Sequence, residues 1–277
     1  MLAKAVAAFL AIALAIATFT ARADGLELGL VPYLPTEPLL AAHQPLRAFI
    51  EKELGQPVRL STAPDFRAFA GRALRREYDF AVTGSALGRF IQREAGYTPL
   101  LVSRRNIRAQ ILVPEDSPVQ SVADLAGVRV ATMEPFTAIA QLGNEMLRRA
   151  GLDPLRDVVL LPLKSPYNAR QSAALGESDA AIVTGNLLPA APADAGRPLR
   201  VLAQSDELPG LMLLVRHRPP LPDARRLRTL LLRFFNETEA GAAMARNLAQ
   251  DGYREVTQQD LRALDRFGIE LKRYLAR

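Results

Sequence analysis

Short apolar runs alternate with helical patterns through most of this chain, and this alternation constrains the fold more than any other feature. The predicted strands are Leu26–Val31, Val58–Ser61, Asp79–Thr83, Pro99–Val102, Arg108–Val113, Val128–Thr132, Val158–Leu163, Ala180–Thr184, Leu199–Leu202 and Leu211–Val215. The predicted helices are Pro38–Leu54, Phe66–Arg76, Ala86–Glu94, Thr137–Ala150, Asn168–Leu175, Pro222–Asn236, Glu237–Asp251 and Gln258–Leu275. Because such alternation is typical of βαβ units, the pattern predicts α/β lobes with largely parallel sheets.

The first residues have the pattern of a secretory signal peptide. Lys4 gives a basic start, Ala5–Phe19 is an unbroken apolar run, and Ala21–Ala23 fits the small-x-small cleavage pattern. The run is shorter than the roughly 20 apolar residues that a membrane-spanning helix needs. We therefore expect residues 1–23 to be removed, leaving a soluble periplasmic protein that begins at Asp24.

Charge and composition argue against several classes of function. The whole chain has a formal net charge of +6, and its arginines are spread over helix faces, so nucleic-acid binding has little support. The sequence contains two histidines, His43 and His217, and no cysteine. Neither histidine has a convincing partner nearby in sequence, so we expect no metal site, no cofactor and no enzymatic activity.

Five segments, in this order along the chain, carry a likeness to a known family. They are "LGLVPYLPTEPLLAAHQPLRAFIEKELGQPVRL" at 28–60, "REYDFAVTGSALGRFI" at 76–91, "QILVPEDSPVQSVADLAGVRVATMEP" at 110–135, "ARQSAALGESDAAIVTGN" at 169–186 and "LRVLAQSDELPGLMLLVRHRPP" at 199–220. They resemble periplasmic solute-binding proteins of the phosphate/phosphite/phosphonate ABC-transporter family. The third segment is shared widely among binding proteins with a two-lobe fold. The Val-Pro-Tyr of the first segment narrows the resemblance to this family.

The resemblance implies a Venus-flytrap architecture, the type 2 periplasmic binding protein fold. Two α/β lobes, joined by two crossing strands, would close on a small ligand in the cleft between them. The crossings should fall near Ile107–Val113 and Leu199–Leu213. Lobe 1 would combine residues 24–108 with 204–277, and lobe 2 would be residues 109–203.

The resemblance also implies a function. We expect a periplasmic monomer that captures a small anionic solute, such as a phosphonate, phosphite, phosphate or related organic anion, and passes it to the permease of an inner-membrane ABC importer. The alternative is a ligand sensor that signals to a separate sensor kinase or chemoreceptor through the same fold and cleft, because either partner would read the closed state.

In lobe 2 the start of a helix after the strand Val128–Thr132 is a candidate ligand seat. A helix N-terminus presents unpaired backbone N–H groups and about half a positive charge. Members of the family often have a Ser-Thr-Ser cluster here, whereas this chain has Phe136, Thr137 and Ala138. Thr137 is therefore either a ligand contact or simply the N-cap of its helix, and the sequence leaves both roles open.

Further lobe 2 candidates also follow predicted strands. Where the family commonly has Ser-His-Asp-like residues, this chain has Ser165, Pro166 and Tyr167. Pro166 is an ordinary helix starter, and Tyr167 and its neighbour Asn168 are candidates to point into the cleft. Thr184, at the end of its strand, is a candidate to close the pocket.

Lobe 1 is closer to the family pattern. Tyr33, just after the first strand, matches an aromatic residue that lines the ligand site. Thr83, Gly84 and Ser85 lie between a strand and a helix, where they form either an anion seat or a tight turn. All these candidates lie at the carboxyl ends of strands, where open α/β sheets bind ligands. Since Tyr33, Phe136 and Tyr167 make the site less polar, we expect a ligand with an anionic or strongly polar head and an organic tail.

Overall fold

The computed structural model describes residues 25–185 and 196–276. The predicted signal peptide lies outside these residues. No helix within the two ranges is long and apolar enough to cross a membrane.

Strands and helices follow one another in nearly the predicted order. The strands are β1 Leu26–Leu30, β2 Val58–Ser61, β3 Phe80–Gly84, β4 Thr98–Ser103, β5 Asn106–Ile107, β6 Ala109–Pro114, β7 Arg129–Met133, β8 Val159–Leu163, β9 Ala180–Thr184, β10 Leu199–Gln204, β11 Leu208–Pro209, β12 Leu211–Val215 and β13 Tyr253–Glu255. The helices are α1 Thr36–Leu54, α2 Phe66–Leu74, α3 Ser85–Ala95, α4 Ala138–Arg149, α5 Pro166–Leu175, α6 Ala224–Glu237, α7 Glu239–Asn247, α8 Gln258–Leu264 and α9 Gly268–Leu275, with 3₁₀ turns at Val122–Leu125 and Asp265–Phe267.

The strands form two main sheets. Sheet 1 has six strands in the order β13-β4-β12-β3-β1-β2, and sheet 2 has five in the order β10-β6-β9-β7-β8. Sheet 1 takes its strands from the beginning and the end of the chain, and sheet 2 takes its strands from the middle. The lobe limits at 108/109 and 203/204 remain a prediction.

The expectation of largely parallel sheets is wrong. β2, β1 and β3 run parallel in sheet 1, and β9, β7 and β8 run parallel in sheet 2. The remaining strands, β12, β4, β13, β6 and β10, pair antiparallel. Three of them, β12 and β13 in sheet 1 and β6 in sheet 2, therefore run opposite to the parallel strands of their sheet.

The two passages between the sheets lie side by side. The chain leaves β4 for β6 through β5, and it returns from β10 to β12 through β11. β5 and β11 pair with each other in an antiparallel two-stranded ladder, with Leu208 opposite Ile107. This ladder connects the two halves of the molecule beside the cleft.

Helices cover both faces of sheet 1. α1, α6 and α7 pack on one face over a core that includes Leu28, Leu46 and Phe234. On the other face, α3 carries Phe90 into a core that continues through Leu142 of α4. Since α4 also contacts β6 and β9, the same apolar cluster joins the two halves of the structure.

The last predicted helix is interrupted. The pattern over Gln258–Leu275 predicts one helix, but the structure has α8, a 3₁₀ turn and α9. The helix predicted over Glu237–Asp251 also ends early, at Asn247, because Ala249 and Asp251 both have a φ of +52°. This departure from helical geometry turns the chain toward the cleft.

Candidate functional site

The carboxyl ends of the parallel strands of both sheets border one cavity of about 240 Å³. Sheet 1 contributes the segment after β1 and the end of β3, and sheet 2 contributes the ends of β7, β8 and β9. Six of the residues predicted from the sequence line this cavity: Tyr33, Gly84, Phe136, Thr137, Ser165 and Thr184. A site assembled from both sheets at strand carboxyl ends is typical of ligand binding by α/β proteins.

Thr137 caps helix α4 at the cavity wall. Its hydroxyl oxygen accepts a hydrogen bond from the N–H of Ala140 at 3.2 Å, and its hydroxyl proton is donated to the carbonyl of Glu134 at 2.8 Å. The N–H groups of Ala138 and Ile139 have no backbone or side-chain acceptor among the described residues. The side chain of Thr137 is therefore used within the chain, while two backbone donors of the first helical turn remain available.

Helix α5 begins at the same cavity. The Ser165 hydroxyl accepts a hydrogen bond from the N–H of Asn168 at 3.1 Å, and Pro166 occupies the first helical turn. Both Ser165 and Pro166 line the cavity. Two helix N-termini therefore direct partial positive charge toward the same space.

Two hydroxyl groups at the cavity lack a partner among the described residues. The Oγ1 atom of Thr184 is buried, and the residue is 5% exposed. The phenol oxygen of Tyr33 is also buried without a partner, and burial raises the pKa of Tyr33 well above its ordinary value, with a smaller contribution from Tyr253. Because a buried polar group without a hydrogen bond is costly, each hydroxyl would be stabilised by a ligand atom or a water molecule that reaches it.

Four other predicted site residues lie outside the cavity wall. Thr83 is fully buried in sheet 1, next to Gly84. The hydroxyl of Ser85 donates a hydrogen bond to the carbonyl of Pro209 at 2.5 Å, and its backbone N–H donates one to the carbonyl of Gly210 at 2.9 Å. Tyr167 is 48% exposed, and Asn168 is exposed on the surface of α5. The helical periodicity of α5 turns these last two away from Ser165 and Pro166.

Of the described residues at the cavity wall, Lys164 and Arg105 carry a formal charge. Lys164 follows β8 directly, and no described carboxylate forms an ion pair with it. Arg105, by contrast, donates two hydrogen bonds of 2.8 Å to the carboxylate of Asp251. This bidentate pairing raises the pKa of Arg105 and holds the pKa of Asp251 below its ordinary value.

Apolar side chains form most of the remaining wall. They are Val31, Phe66, Ile107, Met133, Phe136, Ile139 and Leu211. Phe136 is 3% exposed, and the guanidinium of Arg67 lies over its ring at 5.7 Å from the centroid. The cavity therefore combines a polar end with a broad apolar surface.

Sequence reasoning missed several of these residues. Lys164 had a usable signal, because it follows a predicted strand just as Thr184 ends one. Arg105, Gln250 and Gly210 belong to irregular segments that reach the cavity only through long-range packing. No local pattern marks such residues.

A second cavity of about 220 Å³ lies between sheet 2 and α9. It is lined by Thr132, Asn144 and Tyr274 among others. The hydroxyl of Thr132 is buried there without a partner among the described residues. Met133 touches both cavities, so they are neighbours.

Solved structures of known proteins show the same fold. The protein XAC2383 from Xanthomonas citri, solved bound to ATP, is 20% identical, with a TM-score of 0.71 and coverage of 90% of this chain and 97% of that chain. A binding protein component of an ABC phosphonate transporter from Pseudomonas aeruginosa is 16% identical, with a TM-score of 0.66 and coverage of 91% and 99%. PhnD1 from Prochlorococcus marinus, in complex with methylphosphonate, is 12% identical, with a TM-score of 0.73 and coverage of 89% and 98%. At these identities the likeness shows the fold alone, which is that of type 2 periplasmic binding proteins.

The family is shown by sequence. Comparison with curated protein sequences gives no significant match. The family model described as "ABC transporter, phosphonate, periplasmic substrate-binding protein" matches residues 28–261, which confirms the resemblance carried by the five segments. The chain therefore belongs to the family of periplasmic substrate-binding proteins of phosphonate ABC transporters.

Proposed function

We propose that this protein captures a small organic anion in the 240 Å³ cavity and delivers it to the permease of an ABC importer. Its family consists of periplasmic substrate-binding proteins of such transporters. One observation supports the proposal most strongly: the starts of α4 and α5 and the exposed residue Lys164 all border one cavity. A cavity below the usual range of roughly 300–1,000 Å³ for ligand pockets suits a small solute.

The anionic head would lie against the first turn of α4. The N–H groups of Ala138 and Ile139 would donate to its oxygens, and Thr184 would add a hydroxyl. Phe136, which lies at the position of a family serine, would contact the organic part instead. Gly84, Ser165 and Tyr33 line the same cavity, and they would also contact the ligand.

The two predicted lobes would close on this ligand. Lobe 1 would be residues 24–108 with 204–277, and lobe 2 would be residues 109–203. The functional unit would be a monomer. The alternative, a sensor that signals to a separate kinase, would use the same cavity, and no described residue favours it.

A thermal-shift screen of the mature protein tests this proposal. The protein, from Asp24 onward, would be stripped of ligand by unfolding and refolding, and then exposed to phosphate, phosphite, phosphonates, sulfonates, sulfate and small carboxylates. A ligand at about 100 times its dissociation constant stabilises the folded state by about 2.7 kcal/mol. A shift with at least one organic anion is expected. If all these anions leave the melting temperature unchanged, the proposal is wrong.

A matched pair of variants then locates the ligand. Thr184→Val removes a buried, unpartnered hydroxyl at the cavity, and Thr132→Val removes one of the same kind beside the second cavity. Because a hydrogen bond to a charged group contributes about 1.5–3 kcal/mol, Thr184→Val should weaken binding about tenfold to a hundredfold. Titration calorimetry should find the affinity of Thr132→Val unchanged. The reverse result would place the anion in the second cavity.

A further inference from the structure

We propose that the cavity prefers a singly charged oxyanion head on a short apolar group, a sulfonate or a carboxylate, over a doubly charged phosphonate or phosphate. This inference rests on the proposed function, because it assigns the ligand class of the same cavity. It is carried by the charges that border the cavity, by the available donors and by the apolar wall.

Among the described residues that line the cavity, one formal positive charge has no ion-pair partner; behind the wall, the guanidinium of Arg67 lies over Phe136 and donates to backbone carbonyls. Lys164 lies at the wall with no ion-pair partner among the described residues. The other cation, Arg105, is already neutralised by Asp251, and the two guanidinium nitrogens that face this carboxylate are both used. A ligand head with one negative charge balances Lys164, whereas a second negative charge would meet no further unpaired charge among the described lining residues.

A carboxylate beside the cavity increases this asymmetry. Glu134 belongs to the loop that precedes α4, and its Oε2 atom accepts a hydrogen bond from the N–H of Phe66 at 3.4 Å. Its carboxylate therefore lies at the start of α2, beside Phe66 of the cavity wall. Like charges repel, so a carboxylate next to the wall penalises a dianion more than a monoanion.

The hydroxyl donors are also few. The Thr137 hydroxyl proton is donated to the Glu134 carbonyl. Three hydroxyls of lining residues keep a proton without a described acceptor: those of Thr184 and Tyr33, and that of Ser165, whose oxygen accepts from Asn168. Together with the N–H groups of Ala138 and Ile139, they can satisfy a few acceptor sites. A singly charged oxyanion is weakly hydrated compared with a dianion, so this limited set of donors replaces its water more completely.

The apolar wall sets the other half of the ligand. Phe66, Phe136 and Met133 border the cavity together with Ile107 and Leu211. Burying apolar ligand surface on them contributes roughly 25 cal/mol per Å². An inorganic oxyanion would leave this surface unused, so the ligand should carry an organic group.

Two ligands with the same tail test the preference for a single charge. Butanesulfonate stays singly charged, while butylphosphonate acquires its second charge as the pH rises through neutrality. Affinities would be measured by calorimetry between about pH 6 and about pH 9. The sulfonate affinity should stay constant, and the phosphonate affinity should fall about tenfold or more with the second ionisation.

The outcomes separate the two proposals. Phosphonate binding that strengthens with pH, or that exceeds sulfonate binding at about pH 9, would overturn the preference for a monoanion and leave anion capture standing. Failure of both ligands, together with the rest of the anion screen, would overturn the proposed function itself.

A gain-of-function variant tests the charge count. Asp251→Asn releases Arg105, and asparagine tolerates the φ of +52° at this position. The preference for butanesulfonate over butylphosphonate should then fall about tenfold at alkaline pH. The control is Asp179→Asn, which breaks a similar bidentate pair with Arg129 away from the cavity. An unchanged preference in Asp251→Asn would contradict the assignment of Arg105 as a neutralised cation.

Lys164→Met tests the unpaired charge directly. Methionine keeps the apolar part of the side chain and removes the ammonium group, so sulfonate affinity should fall about tenfold to a hundredfold. Lys52→Met, at the exposed end of α1, is the matched control and should bind normally. Normal sulfonate binding by Lys164→Met would overturn the inference.

Discussion

At the scale of single residues, Gly84 offers the cleanest way to fill the cavity without disturbing the fold. Its φ of −60° and ψ of 143° are open to any residue, and an added Cβ atom would meet nothing within 4 Å. Gly84→Leu should therefore fold with an unfolding free energy within about 1 kcal/mol of the wild type. Its side chain would occupy ligand space, so affinity should fall at least about tenfold.

The measurements for this variant are urea denaturation and calorimetry. Gly84→Ala is the control, because one methyl group leaves most of the cavity empty. Unchanged affinity in a folded Gly84→Leu protein would mean that the ligand binds elsewhere.

Single residues also show why the site could be predicted only in part. Thr184 and Thr83 look equivalent in sequence, since each lies at or near the end of a buried strand. Thr184 lines the cavity, while Thr83 is enclosed within sheet 1. Successive residues of a strand point to opposite faces, so one position along the strand decides the outcome.

At the scale of secondary structure, the placement of α4 explains why its N-terminus reaches the cavity. Gly143 faces sheet 2, and a Cβ atom there would lie 2.5 Å from Cγ2 of Ile182. The helix can therefore approach β9 closely only because this residue is a glycine. Thr137 begins the helix at the cavity wall, so the same residue caps α4 and places its free N–H groups at the proposed anion seat.

The carboxylate of Asp260, in the first turn of α8, should make the stability of the folded protein sensitive to acid. Hydrogen bonds from Arg254 are the largest cause that holds the pKa of Asp260 at about 2, and the same carboxylate completes a capping box with Thr257. An aspartate in an unfolded chain titrates near pH 3.9. A lowered folded-state pKa means that the stabilisation is present above about pH 4 and is lost as the pH falls toward about 2.

Asp260→Asn is therefore expected to lose about 2 kcal/mol of unfolding free energy at neutral pH. Urea denaturation at several pH values would measure this difference, which should shrink steadily below about pH 4. A difference that stays constant down to about pH 2 would mean that the lost stability comes from capping geometry rather than from the charge.

At the scale of the whole molecule, α9 connects the end of the chain to α4, which belongs to the predicted lobe 2. The amide of Asn144 donates hydrogen bonds to Glu270 at 2.6 Å and to the hydroxyl of Tyr274 at 3.1 Å. Glu270 is 5% exposed and also pairs with Arg148. Since α9 packs on α3 beside sheet 1, these contacts form only while the two predicted lobes are together.

Glu270→Gln should therefore favour separation of the lobes. It removes an ion pair that stabilises the closed arrangement, so ligand affinity is expected to fall about tenfold. Small-angle scattering of the ligand-free protein should show a larger radius of gyration. Asp265→Asn breaks ion pairs with Arg89 and Arg93, both on α3, and should change neither quantity; equal effects of the two variants would indicate general destabilisation.

The whole molecule also shows the limits of the sequence pattern. Local periodicity predicts the order of strands and helices well, because β1 and α1 need only their own residues to be recognised. The antiparallel entry of β12 into sheet 1, and the arrival of Arg105 and Gln250 at the cavity, depend on contacts between distant parts of the chain. Such contacts leave no local signature, so the polar and apolar balance of the site emerges only in three dimensions.

The central claim is that one small organic anion binds between the two sheets with its head at the start of α4. A crystal structure of the mature protein with the tightest-binding anion of the screen tests it most directly. We expect the head within hydrogen-bond distance of the Ala138 and Ile139 N–H groups and of Lys164, with the tail against Phe136. Ligand density in the second cavity beside Thr132 and Tyr274, or on the outer surface, would contradict the claim.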